Sequence, residues 1–349
     1  MNTATGGRAA ELHQVVLRIA GWACDETVHT LRDWLARDRT VDVARAVLFT
    51  ALSNRIPVTP QDAATLNEAA AGSDVEGLLD VVPDPQLPLH TMSPVHPAEQ
   101  SGGVPHCLDL TGNPEEYDDV DRTAVAAATD MAGFTGLWRT WRLPGFATSW
   151  PPPRRVYLMQ VAGDKPDLLP GHAAGMQSTL VAAGETFPQV EVFTEAENLP
   201  PYQRAALGWS ALLATADPAP PIQIAGLFDA VEDTGGPGFS STRPRLDGEE
   251  RDRVLCYFDA GTALLPTTAL MVDVLDDARR PVVPMGFRTD GQWVWSDATA
   301  YFLRRHGIAP DTELLDHVRD RRYQPGSVGA VALHRAMAAL EAEGEDGDY

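Results

Sequence analysis

Apolar residues in the first part of the chain recur at intervals of three and four. Those of 12–20 fall on one face of a helix, and the same spacing continues through 31–35 and 41–52. Thr59-Pro60-Gln61-Asp62 is typical of a helix start, because threonine caps the first turn and an acidic residue there complements the helix dipole. We therefore predict a helical module over residues 1–82.

The middle of the chain changes from proline-rich to strand-like sequence. Repeated prolines, a Ser-Gly-Gly sequence and an acidic run predict that 83–122 is a linker or a long loop. Residues 156–161 are rich in strand formers, and 189–193 alternate polar and apolar side chains as a half-buried strand does. Helices are predicted between and after these strands, the second over 201–214, so that 123–216 forms an α/β unit.

The last unit, 217–337, combines helices with a hairpin. Strands are predicted at 270–275 and 282–287, and Asp290-Gly291 predicts a tight turn into the next strand. Ser296 is placed to cap a helix that stops at Gly307. Residues 338–349 are acidic and are predicted to form a disordered tail. The chain as a whole is predicted to be a mixed α/β (α+β) protein.

The charge balance narrows the choice of partners. The 349 residues include 27 basic and 49 acidic side chains, a formal net charge of −22. Such a surface repels phosphate, which argues against nucleic acid and anionic membranes and favours a basic protein partner. No apolar signal core opens the sequence, no run of about 20 apolar residues could span a bilayer, and the cysteines form no disulfide framework. We expect a cytoplasmic protein.

Motifs for metal binding and catalysis are incomplete. The segment around Ser210 has a helix-like sequence and lacks the second glycine that a nucleophile elbow requires. Residues 171–175 lack the Lys-Ser/Thr pair of a phosphate loop. The side chains of zinc-ligand type that lie near one another in sequence fit no compact zinc motif: His90, His96, His106 and Cys107. We expect no metal site and no cofactor.

The most informative segment is 286–295, Gly-Phe-Arg-Thr-Asp-Gly-Gln-Trp-Val-Trp. Trp293 and Trp295 share one face of a strand, because side chains alternate with a period of two. Arg288 and Asp290 lie at the turn. One interpretation is a hairpin that buries both indoles under the following helix. The other is a rigid binding surface made of Arg288, Asp290, Trp293 and Trp295, because tryptophan and arginine are favoured binding anchors.

This segment, with 301–307 and 314–318, resembles a C-terminal module of uncharacterised actinobacterial proteins, some of which are tied to toxin–immunity or other conflict loci. The resemblance covers about 288–322. It implies a partner-binding role and brings no catalytic residues with it.

The sequence thus favours a non-enzymatic binding or accessory protein, immunity-like in role, that engages a basic protein partner through its acidic surface. The alternative is an enzyme with its site at the carboxyl ends of the strands of 154–216, near 163–171 and 194–200. Its carboxylates would be Asp164, Asp167, Glu195 and Glu197. A third hypothesis is a scaffold that docks through the helices of 1–82.

Overall fold

The computed structural model describes residues 3–70, 90–100, 103–144, 152–163, 165–218, 220–229, 237–276 and 280–346. The chain divides into two compact units, Met1–Pro218 and Ala219–Tyr349. Each combines helices with a β-sheet, so the predicted mixed α/β fold is confirmed. None of the described helices is both long and apolar enough to cross a membrane.

The first unit contains seven helices of eight or more residues and six strands among its described residues. In chain order they are α1 (Thr3–Ile19), α2 (Asp25–Ala36), α3 (Thr40–Asn54), α4 (Pro60–Ala69), β1 (Thr91–Ser93), β2 (Cys107–Asp109), α5 (Asp119–Thr129), β3 (Phe134–Leu143), β4 (Arg154–Val161), α6 (Leu169–Ala182), β5 (Gln189–Phe193), α7 (Pro201–Gly208) and β6 (Ser210–Thr215).

A mixed sheet organises this unit. Its strand order is β2-β6-β3-β4-β5, with β1 paired to the end of β3. β4 and β5 run parallel and are joined through α6, which agrees with the β-α-β unit expected from the sequence. β3 is antiparallel to both of its long neighbours, and β2 runs parallel to β6. One face of the sheet packs on α5 and α6 around Leu137, Met159 and Val192.

Two predictions for this unit differ from the structure. The predicted helix over 201–214 ends at Gly208, and its second half is β6, because that segment pairs with β2 and β3 and is almost wholly buried. The predicted linker 83–122 contains β1, β2 and the start of α5, while its residues 83–89 and 101–102 lie outside the described residues.

The predicted helical module contacts the elements of 154–216 through α1. His13 of α1 donates a hydrogen bond from Nε2 to the carbonyl oxygen of Val192 in β5, at 2.8 Å. Gln203 of α7 donates to the carbonyl oxygen of Leu17, at 2.7 Å. These contacts link α1 to the elements of 154–216 within one compact unit.

The second unit contains a four-stranded sheet of order β7-β12-β11-β8 and a separate two-stranded hairpin, β9–β10. Its elements are β7 (Gln223–Ile224), α8 (Gly248–Ala260), β8 (Thr262–Leu265), β9 (Leu270–Val272), β10 (Pro281–Pro284), β11 (Phe287–Thr289), β12 (Trp293–Ser296), α9 (Asp297–His306), α10 (Thr312–Asp320) and α11 (Ala330–Asp346).

The helices of the second unit cover both faces of its four-stranded sheet. Trp295 packs on one face against side chains of α8, α9 and α10. On the other face, Leu264 and Val294 meet Ala336 and partly buried side chains of α11. That packing explains why α11 continues to Asp346, where the sequence predicted a disordered tail from residue 338; residues 347–349 lie outside the described part.

Candidate functional site

The predicted binding residues lie on the β11–β12 hairpin, whose register pairs Arg288 with Trp295 and Thr289 with Val294. The turn between the strands is the predicted one. Gly291 has a φ of +89°, a conformation that favours glycine, and the carboxylate of Asp290 accepts hydrogen bonds from the main-chain N–H groups of Gln292 and Trp293, at 2.9 and 2.8 Å.

Asp290 is buried, and its second carboxylate oxygen is also occupied. Tyr257 donates its hydroxyl to Oδ2, and His317 lies with Nε2 2.5 Å from the same oxygen. Burial alone would raise the pKa of Asp290, but hydrogen bonds from Tyr257, His317 and the turn outweigh it and lower the pKa below its ordinary value. Asp290 is therefore an ionised residue that holds α8 and α10 to the hairpin.

Trp295 belongs to the interior of the second unit. It has no exposed surface, and its ring lies 5.4 Å from that of Phe258 and 5.8 Å from that of Tyr257, centroid to centroid. A Cβ atom on Gly261 would lie 2.3 Å from the Trp295 indole, so only glycine fits at that position. Of the two interpretations of this segment, burial under the helices describes Trp295.

Trp293 and Arg288 keep part of their surface exposed. Trp293 is half-buried, with its ring 6.0 Å from that of His317. Arg288 donates from Nε to Asp297 Oδ1 at 2.8 Å, and from NH1 to the carbonyl oxygens of Asp259 and Gly261. Most hydrogen-bonding groups of Arg288 and Asp290 are thus used within the unit. Fewer of them are available to a partner than the sequence suggested.

The strand ends of the alternative enzyme site enclose little space. A cavity of about 60 Å³ lies at the end of β4, lined by residues that include Gly133, Lys165 and His172. Ligand sites commonly occupy about 300–1,000 Å³. His172 donates to the carbonyl oxygen of Ala132 at 3.1 Å. Three of the predicted carboxylates are exposed: Asp167, Glu195 and Glu197. The fourth, Asp164, lies outside the described residues.

A second depression, of about 150 Å³, lies between α2 and α6 and contains His29, Asp33 and Ser178. These are the side chains of a serine hydrolase, but His29 Nδ1 is occupied by Gln177 Nε2 at 2.8 Å. Burial lowers the pKa of His29 from its ordinary value. No hydrogen bond joins His29 to Ser178 or to Asp33 in the described structure, so no activated nucleophile is assembled here.

The histidines and the cysteine of the proline-rich segment point to different partners. His90 Nε2 donates to the carbonyl oxygen of Gly21 at 2.9 Å, and His96 Nδ1 accepts from Ala98 N at 3.2 Å. His106 packs on Trp209, with ring centroids 4.0 Å apart. Within the described residues, no three His, Cys, Asp or Glu side chains converge as metal ligands.

The largest concentration of exposed apolar side chains lies on and beside the β9–β10 hairpin. Each of these residues is 36–51% exposed, and we call them together the hairpin patch: Leu265, Leu270, Val272, Val274, Leu275, Val282 and Met285. Soluble proteins seldom gather large exposed apolar residues in this way unless the surface contacts another molecule. The hairpin patch is therefore the candidate functional site.

The other face of the hairpin fixes it to the second unit. Met271 and Val283 are paired across β9 and β10 and pack on a cluster that contains Phe302 of α9. Three phenylalanine rings pack together within that cluster, and those of Phe239 and Phe302 meet edge to face with their centroids 4.8 Å apart. One face of the hairpin is thus anchored on aromatic side chains while the opposite face carries Leu270 and Val272 into solvent.

A Tyr–Asp–His cluster holds the end of β9. Asp273 is fully buried and accepts hydrogen bonds from Tyr301 Oη at 3.0 Å and from Leu275 N at 2.9 Å, and His306 Nε2 lies 2.7 Å from its carboxylate. Burial opposes ionisation of Asp273, but these hydrogen bonds lower its pKa below the ordinary value. The hairpin patch is thus presented on a fixed support.

The patch is free of charge along its strands. Residues 261–272 and 281–287 contain no ionisable side chain in a protein of net charge −22. The sequence analysis identified both strands but attached no function to them. The signal was the run of consecutive apolar residues: a strand with one face in solvent normally alternates apolar and polar side chains, whereas β9 is apolar on both faces.

Comparisons with models of protein families, with curated proteins and with solved structures gave no match to this chain. The assignment of a function therefore depends on the surface and the interior described above.

Proposed function

We propose that this protein acts by binding a basic protein partner, and that the hairpin patch is the centre of the contact surface. The observation that carries the proposal is the gathering of seven exposed apolar side chains around one hairpin. Apolar surface at the centre of an interface supplies most of the binding free energy, whereas a charged surround sets partner choice and association rate.

The charge of the protein supports a basic partner. A formal net charge of −22 accelerates the approach of a positively charged protein and repels acidic ones. We expect nanomolar-class affinity that falls steeply as salt rises, because exposed charges are screened beyond about 8 Å at physiological ionic strength. An immunity-like role, in which the acidic protein neutralises a basic toxin, is consistent with this chemistry and with the resemblance of 288–322.

The test starts with capture of partners from the source cells by the tagged full-length chain. A captured partner is then purified, and its dissociation constant is measured by calorimetry at low and high salt. We expect a basic protein whose affinity weakens with salt. Absence of a basic partner, or an affinity indifferent to salt, would contradict the proposal.

A matched pair of variants locates the surface. Val282→Ser removes an apolar side chain of the hairpin patch that is 43% exposed, and Val181→Ser removes one on α6 that is 48% exposed. We expect Val282→Ser to weaken binding by about tenfold or more and Val181→Ser to leave it unchanged, because side chains at an interface centre dominate affinity. Equal effects of the two substitutions would show that the hairpin patch is not the contact surface.

A further inference from the structure

We propose that β9 accepts an extended strand of the basic partner along its free edge, so that recognition occurs by strand addition. This inference rests on the proposed function and specifies how its partner binds. It starts from the hairpin, in which β9 has β10 on one side and, among the described residues, no strand on the other.

The main chain of β9 is oriented for such an addition. Ala269 accepts a hydrogen bond from Met285 N, and Asp273 N donates to Arg280, so these two residues direct main-chain groups toward β10. Because the direction of main-chain groups alternates along a strand, Leu270 and Val272 direct theirs away from β10. Among the described residues no second strand pairs with these groups, so this edge presents main-chain donors and acceptors to a partner.

β9 is protected against pairing only by its length of three residues, whereas β10 also carries prolines. Pro281 and Pro284 stand at the two ends of β10 and remove two N–H donors from it. β9 contains neither proline nor a charged residue, the two features that most often prevent unwanted pairing at an edge. The sequence thus leaves one edge of the hairpin open to a partner strand.

A third strand would also complete the hairpin energetically. A two-stranded sheet is marginal by itself, and three strands with an apolar face are usually needed for stability. The exposed face of β9 offers Leu270 and Val272 to alternate side chains of an added strand, which is how strand-addition complexes obtain specificity.

Charge decides between a partner and a second copy of this chain. Antiparallel pairing of β9 with another β9 is geometrically allowed, but it would bring together two molecules of net charge −22. Residues 261–272 contain no ionisable group that could offset this repulsion. An apolar strand flanked by lysine or arginine meets no such cost and is attracted, so the occupant is a strand of basic character.

The probe is a labelled synthetic peptide, Lys-Lys-Val-Thr-Val-Thr-Lys-Lys, titrated with the full-length chain and followed by fluorescence anisotropy. Two substitutions separate main-chain from side-chain recognition. Val272→Pro removes the outward N–H and keeps an apolar side chain, whereas Val272→Thr keeps the N–H and the branched shape. We expect Val272→Pro to weaken peptide binding by about tenfold or more and Val272→Thr to weaken it much less.

A peptide N-methylated on alternate residues, which cannot pair along one edge, keeps the test valid if Val272→Pro fails to fold. We expect this peptide to lose its affinity for the unsubstituted protein. Binding that survives N-methylation, or no binding of the lysine-flanked peptide, would overturn strand addition. Light scattering measures whether the chain forms a dimer. A dimer that Val272→Pro abolishes would show that a second copy of the chain, and not a basic partner, occupies the edge of β9.

The failure of strand addition is distinguishable from the failure of the proposed function. If the natural partner binds the Val272→Pro protein normally but loses affinity for Val282→Ser, the hairpin patch binds through side chains alone. If neither substitution affects the partner, the hairpin is not the contact surface.

Discussion

The buried Arg32–Glu191 pair of the first unit and the buried Asp290 and Asp273 of the second unit are stabilised in different ways. In the first unit, Arg32 of α2 and Glu191 of β5 are both fully buried, with NH2 and Oε1 2.6 Å apart. Gln203 donates to Glu191 at 2.9 Å, while Nε and NH1 of Arg32 have no acceptor among the described residues. Each charge of this pair therefore depends mainly on the other, whereas Asp121 in the same unit is held by both Arg139 and Tyr157.

The second unit distributes each buried charge over several donors. Asp290 and Asp273 each accept from a tyrosine hydroxyl, a histidine ring and main-chain N–H groups, and the two histidine side chains are 15 and 19% exposed. No single donor carries the whole stabilisation. We therefore expect the loss of one partner to lower the free energy of unfolding more at the Arg32–Glu191 pair than at Asp290 or Asp273.

The largest expected effect is the loss of one member of the buried ion pair. Arg32→Met leaves Glu191 buried and unpaired, and we expect it to lower the free energy of unfolding by about 3–5 kcal/mol, measured by urea denaturation. The double variant Arg32→Met/Glu191→Met should recover much of that loss, because no charge is then left without a partner. A single variant as stable as the unsubstituted protein would remove the distinction between the units.

His13 adds a pH dependence to the first unit. Complete burial is the main cause that lowers the pKa of His13 to about 4, and the nearby charge of Arg32 lowers it further. The hydrogen bond to Val192 opposes this shift but is too weak to reverse it. A lowered pKa means that the neutral ring is favoured by folding, so the stabilisation is present above pH 6.5 and is lost as the pH falls toward 4. The loss should reach about 3 kcal/mol.

The comparison of His13→Gln with the unsubstituted chain isolates this contribution, because His29 and His90 also have lowered pKa values and titrate in both proteins. We expect a flatter dependence of unfolding free energy on pH in the variant. Parallel curves for the two proteins between pH 6.5 and 4 would assign the acid sensitivity to other groups.

The second unit should respond less to the loss of one donor. Tyr257→Phe leaves Asp290 with His317 and two main-chain N–H groups, and we expect a loss of about 1–2 kcal/mol in thermal or urea unfolding. The matched substitution Tyr301→Phe at Asp273 should cost less, because Tyr301 is nearer to solvent than the buried Tyr257.

The stabilisation that Asp290 provides should also change with pH in a predictable direction. Since its pKa is lowered in the folded state, its stabilisation is fully present above the ordinary aspartate pKa of about 4 and is lost as the pH falls from there through the lower pKa of the folded state. Tyr257→Phe should therefore lose part of this acid dependence. If Tyr257→Phe lowers the free energy of unfolding as much as Arg32→Met does, Asp290 depends on one donor after all.

The features that sequence predicted correctly are set by neighbouring residues. Thr59 and Asp62 form the expected capping box at the start of α4, Ser296 accepts from Ala298 N at 3.1 Å at the start of α9, and Gly307 ends α9 in a left-handed conformation. Each depends on side chains within a few positions of the helix end, so the local sequence contains enough information to place them.

The features that sequence missed depend on distant contacts. Residues 210–215 have a helix-compatible composition, yet they form β6 because β2 and β3 flank them. The role of Trp295 depended on whether α8, α9 and α10 would cover it. The exposure of β9 likewise depended on whether a distant element would cover it, and none of the described elements does so.

The smallest expected effect on stability belongs to the hairpin patch. Val272→Thr changes a side chain that is 39% exposed and leaves the hydrogen bonds of β9 to β10 in place, so the melting temperature should stay close to that of the unsubstituted chain. Exposed substitutions of this kind usually change the unfolding free energy by less than about 0.5 kcal/mol. Met271→Thr is the control, and it should destabilise the protein because the partly buried Met271 side chain packs on the aromatic cluster. If Val272→Thr lowers stability as much as Met271→Thr, then both faces of the hairpin are covered in the folded protein, and the hairpin patch is interior surface with no role in binding.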